Sequence, residues 1–99
     1  MYGLIGHMTA TPGQRDALID ILIQGVAGMP GCLSYVVARD PKDANGLWIT
    51  EVWQDQASHQ GSLQLPSVQT AIQKGRPLIA SMDSHTETVP VGGFGLQSK

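Results

Sequence analysis

Two runs of β-forming residues, CLSYVVARD and LWITEVWQ, are joined by a short polar stretch, PKDANG. A polar loop that contains proline and closes on Asn45-Gly46 favours a hairpin, which makes the two runs antiparallel neighbours. Every other element must fit around that pair. Upstream, Tyr2 to Met8 is a short apolar run bounded by the turn signal Thr11-Pro12-Gly13, and it reads as a first strand. From Pro12 the apolar residues Leu18, Ile19, Leu22, Ile23, Val26 and Met29 recur three and four apart. That spacing predicts an amphipathic helix with Pro12 near its first turn and Gly28 near its end. Met29-Pro30-Gly31 then breaks the chain before the hairpin.

Downstream, Asp55 is a fair N-cap for a helix running to about Leu63. Pro66 opens another that carries Val68, Ala71 and Ile72, then Leu78 and Ile79. Gly75-Arg76-Pro77 should bend or split it, because Pro77 has no N–H for the helix ladder. Ser84 to Val89, SHTETV, alternates polar and β-branched residues as a fourth strand. The order β-α-β-β-α-β is the α+β, ferredoxin-like pattern, a four-stranded antiparallel sheet with helices on one face. In that order the first strand lies between the third and the fourth.

The sheet has a second face. On the second strand Leu33, Tyr35 and Val37 point one way and Cys32, Val36 and Ala38 the other, so both parities are apolar. The face without helices needs a cover, and a second copy of the chain is the economical one. The expectation is a homodimer packed sheet against sheet.

Composition narrows the class. A chain of 99 residues supports one core, so residues 1–99 read as a single domain, with a Gly-rich flexible tail from about residue 90. Its six Lys and Arg are scattered and outnumbered by eight Asp and Glu. Nucleic-acid binding, which needs clustered cations, is not expected. No apolar run approaches the roughly 18 residues of a membrane span. The start, MYGLIGHM, lacks the basic region of a secretory signal. Cys32 is the single cysteine, which excludes an internal disulfide and fits a reducing cytoplasmic setting. It reads as a small buried residue on a strand.

Chemistry concentrates in ITEVWQDQASHQGSL, residues 49–63. Period two places Leu47, Ile49, Glu51 and Trp53 on one face of the third strand. A carboxylate in that company must be paired, hydrogen-bonded or shifted in its titration. Glu51 is either a structural partner for a residue such as Arg39, or a pocket carboxylate that holds a polar substrate group or orients a histidine. Trp53 is either a lid on the core or a surface for a ligand ring. His59 shares a helix face with Ser62 and Leu63, which aims it back toward Trp53 or leaves it at the surface. His7 and His85 lie on the first and fourth strands. No histidine pair has metal-ligand spacing, and neither GxGxxG nor GxxxxGK[ST] occurs, so no metal or nucleotide cofactor is expected.

TPGQRDAL after the first strand, GCLSYVV on the second, ITEVW on the third and LPSVQTAI beyond the next helix resemble the antibiotic biosynthesis monooxygenase family. The resemblance runs nearly the whole chain, and GC-x-x-Y with E-x-W, a short helix and a proline carries it. It implies a ferredoxin-like protomer, a dimeric α+β barrel, and a pocket between sheet and helices. Typical members have their helix histidine where this chain has Ser62, followed by a proline that matches Pro66. Here the histidine is His59, one turn earlier. Haem-degrading relatives use an asparagine on the first strand, whereas the lone asparagine here is Asn45 in the hairpin loop.

For the oxygenase members the resemblance implies chemistry without metal or flavin. A phenol or quinol loses a proton, and the electron-rich anion reduces O2 directly. The expected parts are His59 as base, with His7 in reserve, Trp53 as the wall for the ring, and Glu51 and Ser62 as polar positioners. The alternatives are an isomerase of a small hydroxy-carbonyl compound, for which Arg76 would hold an anionic group, and a dimeric module that binds a small aromatic without turnover.

Overall fold

The computed structural model describes residues 1–96. Its elements are β1 (Tyr2–Ala10), α1 (Arg15–Gly25), β2 (Cys32–Arg39), β3 (Gly46–Trp53), α2 (Gln56–Ser62), α3 (Pro66–Gly75), a 3-10 turn (Arg76–Leu78) and β4 (Ile79–Thr88). The strands form one antiparallel sheet in the order β2-β3-β1-β4. This is the ferredoxin-like α+β arrangement that the order of elements predicts. Residues 90–96 are in neither helix nor strand, and the last three residues of the expected tail lie outside the described residues.

The hairpin loop is held from several sides. Asp40 and Asp43 accept from the backbone N–H groups of Lys42 and Asn45, each at 2.9 Å, as turn-forming aspartates do. Arg15, at the start of α1, donates to the Asp43 carbonyl at 2.9 Å and so ties the loop to the helix layer.

Several boundaries differ from those expected. The first helix begins at Arg15 rather than beside Pro12, because Gly13 has φ 79° and the Gln14 N–H bonds to Thr11 O in a turn. β4 begins at Ile79, well before Ser84. Pro77 ends the helix in a 3-10 turn, and the chain enters the sheet at once, with Ile79 opposite Ala10. Two bulges, around Ala80 and Asp83, disrupt its alternation, and its polar residues suit an exposed edge strand. On β2 a bulge at Leu33 puts Cys32 opposite Trp53, on the same side as Tyr35 and Val37. The expected parity of Cys32 is thereby reversed.

The core lies between the sheet and the helices in two clusters. One gathers Met8, Ala10, Leu18, Leu47 and Ile49. The other gathers Met29, Trp53 and Val68 at the opposite end of β3. α1 and α3 cross closely at Gly25, where a methyl group would collide with that of Ala71. The face of the sheet away from the helices carries exposed Ile5, Val36 and Trp48.

Candidate functional site

Between the sheet and the helices lies a cavity of about 460 Å³, within the usual range for small-molecule sites. Leu22 of α1, Val26 just after it, and Val68 and Ile72 of α3 line it above the sheet, with Met8 and Met82 on the strands below. Its polar groups are few: Glu51, His59, Ser62, Tyr35 and Arg76.

Glu51 and Trp53 stand two apart on β3 and therefore share the helix-covered face. The Trp53 indole Nε1 donates to Glu51 Oε1 at 3.0 Å, and the indole is only 1% exposed. The carboxylate is thus satisfied from within its own strand. It is not paired with Arg39, whose Nε donates instead to Asp16 of α1 at 3.1 Å. Asp55 caps α2, accepting from the Ser58 N–H at 2.7 Å, and its carboxyl is held below the usual range by the Ser58 hydroxyl first and this backbone bond second. The helix so started turns His59 back over the end of β3. His59 Nε2 stands 3.9 Å from Glu51 Oε1, with the two side chains 20% and 16% exposed. The imidazole is edge-on to Trp53 at 5.4 Å and tilted against Tyr2 at 5.6 Å. Glu51, Trp53 and His59, grouped by the sequence, therefore form one contiguous wall.

Ser62 is buried, and its hydroxyl donates to the His59 carbonyl at 2.6 Å. That bond uses its one proton and leaves lone pairs for a ligand. Arg76, in the 3-10 turn before β4, is exposed and reaches the cavity from the end where Ile79 pairs with Ala10.

His7 belongs elsewhere. Its register opposite Trp48 puts it on the open face of the sheet. There Nδ1 meets Asp83 at 2.7 Å and Nε2 meets Asp40 at 3.0 Å, with Trp48 edge-on at 4.6 Å. The hydrogen bond to Asp83 is the largest influence raising its titration, opposed by partial burial and aided by Asp40. His7 is not among the residues that line the cavity, so the reserve base lies outside the pocket. Cys32 is a thiol whose titration is pushed up by burial and then by Glu51, which disfavours the nucleophilic thiolate. Among the described residues no group of three His, Cys, Asp or Glu side chains is placed to hold a metal, and no helix is long and apolar enough to cross a membrane.

Sequence reasoning passed over two tyrosines. Tyr2 packs on His59, and Tyr35, on β2 directly opposite Glu51, lines the cavity. The hairpin itself held the signal for Tyr35. Its register pairs residue 35 with residue 51, so any pocket carboxylate at 51 has that tyrosine beside it.

Fold and cavity together define a ferredoxin-like α+β protein with an apolar site walled by a carboxylate, an indole and an imidazole. The sequence model for antibiotic biosynthesis monooxygenase matches residues 1–74. The chain belongs to that family, as its GC-x-x-Y and E-x-W segments suggest. It is 69% identical to a candidate antibiotic biosynthesis monooxygenase from Chloroflexus aurantiacus J-10-fl, whose crystal structure superposes with a TM-score of 0.95 over 97% of this chain and 98% of that one. A second such candidate, from Deinococcus radiodurans, is 24% identical with a TM-score of 0.77, over 99% of this chain and all of its own. A Pseudomonas aeruginosa protein is 23% identical with a TM-score of 0.79, over 92% and 94% of the two chains. These last two speak to the fold alone. No curated protein matches the chain significantly in sequence.

Proposed function

We propose that the protein is a cofactor-independent monooxygenase of a small hydroxylated aromatic or quinol. The observation that carries this reading is the Glu51–Trp53–His59 wall on a mostly apolar cavity. An aromatic ring enters beside Trp53 with its hydroxyl toward His59. Nε2 takes the proton, and Glu51 balances the imidazolium. The resulting anion donates electrons to O2, a C–O bond forms at a ring carbon bearing hydrogen, and the peroxide O–O bond breaks as that hydrogen leaves. His59 returns its proton to the peroxide, one oxygen atom becomes a ring carbonyl, and the other leaves as water with that proton and the ring hydrogen, all four electrons coming from the substrate. The apolar walls limit competing hydration.

The homodimer belongs to the same reading. Exposed Ile5, Val36 and Trp48 on the open face of the sheet would be covered by a second copy. A reducing cytoplasm suits the lone Cys32.

The test is oxygen uptake with a panel of quinols and polyphenols, with and without chelator, for the wild type and His59→Ala. Uptake that survives chelation and is lost in the variant supports the proposal, and absence of uptake across the panel overturns it. Arg76 at the cavity favours one second reading, an isomerase acting on a small anionic hydroxy-carbonyl compound. That reaction would proceed without oxygen. Retention of an aromatic ligand by His59→Ala, with no turnover in either protein, would instead mark a binding module.

A further inference from the structure

Tyr35, like Ser62 and Arg76, is a polar residue of the cavity that the oxygenase mechanism above leaves without a task. Its backbone pairs with Glu51 across the β2–β3 ladder, and its ring packs against both core clusters. Among the described residues its hydroxyl has no hydrogen-bond partner in the protein, and the one side-chain polar atom sealed from solvent without a partner is Arg15 Nε. The Tyr35 hydroxyl is therefore reachable, and Tyr35 lines both the cavity and a smaller cleft beside Val26, Met29 and Cys32. Burial, with Glu51 second, pushes its ionisation far above the ordinary tyrosine range. A phenol in that state stays protonated at any working pH and offers one O–H to whatever occupies the cavity. Tyr35 and His59 both line the cavity, so an occupant can meet the donor and the histidine in different roles.

We infer that the Tyr35 hydroxyl is the donor that receives the ionised oxygen of the substrate as His59 takes its proton. This rests on the function proposed above and narrows the substrate class to rings whose reacting oxygen starts as a hydroxyl. The substrate O–H bond breaks toward His59 Nε2, the electron pair stays on oxygen, and Tyr35 keeps its own proton while donating a hydrogen bond. An aryl methyl ether of the same shape can neither release the proton nor develop the charge that Tyr35 stabilises.

The experiment uses 4-nitrophenol, whose ionised form is read by its own absorbance, with the purified full chain. In the wild type the bound probe should ionise at a lower pH than the same probe bound to Tyr35→Phe, by about one unit for the loss of one hydrogen bond to a charged acceptor. With a turned-over substrate, Tyr35→Phe should lose about a hundredfold in kcat with a much smaller change in KM. Equal ionisation in the two proteins overturns the inference. The wild type alone provides a second measurement that does not depend on how the variant folds. Binding should strengthen as 4-nitrophenol ionises, whereas 4-nitroanisole should bind equally at each pH. Failure of the probe to bind more tightly on ionisation also overturns the role of Tyr35. Because the two nitrophenol readings need no turnover, they separate it from the oxygenase proposal, which fails on oxygen uptake.

Discussion

The bond from Trp53 to Glu51 makes a quantitative demand on the fold. Its donor is 1% exposed and its acceptor is a carboxylate on the apolar side of the sheet, 3.0 Å away. Trp53→Phe removes the donor and leaves the carboxylate short of a partner, and Glu51→Leu removes the acceptor and leaves a buried indole N–H. Each single change carries the cost of an orphaned polar group, about 1–3 kcal/mol, in addition to any change in packing. The double variant carries neither. Its destabilisation should therefore be smaller than the sum of the singles by about 2 kcal/mol, the strength expected of a hydrogen bond to a charged group. Urea unfolding followed by circular dichroism measures all four proteins, at one protomer concentration so that association does not shift the midpoints. In thermal terms Trp53→Phe should melt about 4–8 °C lower for each kcal/mol lost in a domain of this size. A coupling below about 0.5 kcal/mol would refute the reasoning, since distant, independent sites already deviate from additivity by that much. Trp53 would then be a filler, and Glu51 would owe its place to something other than the indole.

The open face of the sheet should show a pH window. His7 titrates above its usual range because of Asp83 and then Asp40, so its contribution is present below about pH 6.5 and is lost as pH rises through the elevated value. Asp40 and Asp83 titrate below their usual range, through bonds to the Lys42 N–H and to Thr9, respectively, before any other cause. Their contribution is present above about pH 4 and fades in stronger acid. Urea midpoints across pH should fall on both sides of that window, and Asp83→Asn should flatten the alkaline fall; an unchanged alkaline limb would contradict this account. At the helix crossing, Gly25→Ala sets a methyl against Ala71 and should destabilise the fold by about 1–3 kcal/mol through overpacking, with partial recovery in the Gly25→Ala, Ala71→Gly pair. If the open face packs on a second copy, Trp48→Glu should shift sedimentation from dimer to protomer while the far-UV spectrum stays unchanged. A wild-type protein that sediments as a protomer would remove the dimer from the proposal.

What the sequence determined by itself was the order of elements and the content of one wall. Period two along LWITEVW puts Glu51 and Trp53 on one face whatever surrounds them, and Asp55 starts a helix on which His59 either returns toward that face or stays at the surface. Local rules suffice there because the residues lie close in the chain. They fail where distant segments meet. The early start of β4 at Ile79 follows from pairing with β1, far away in sequence, and the bulge that turns Cys32 inward lies at the end of the hairpin ladder farthest from its loop. His7 looked like a reserve base until the sheet order set it between Asp40 and Asp83 on the opposite face. Tyr35 looked like one apolar residue among several until β2 laid it across from Glu51, on the lining of the cavity. The chemistry of each side chain is written in the sequence. Which side chains share a volume is decided by long-range strand register and helix packing, and only the folded chain holds those.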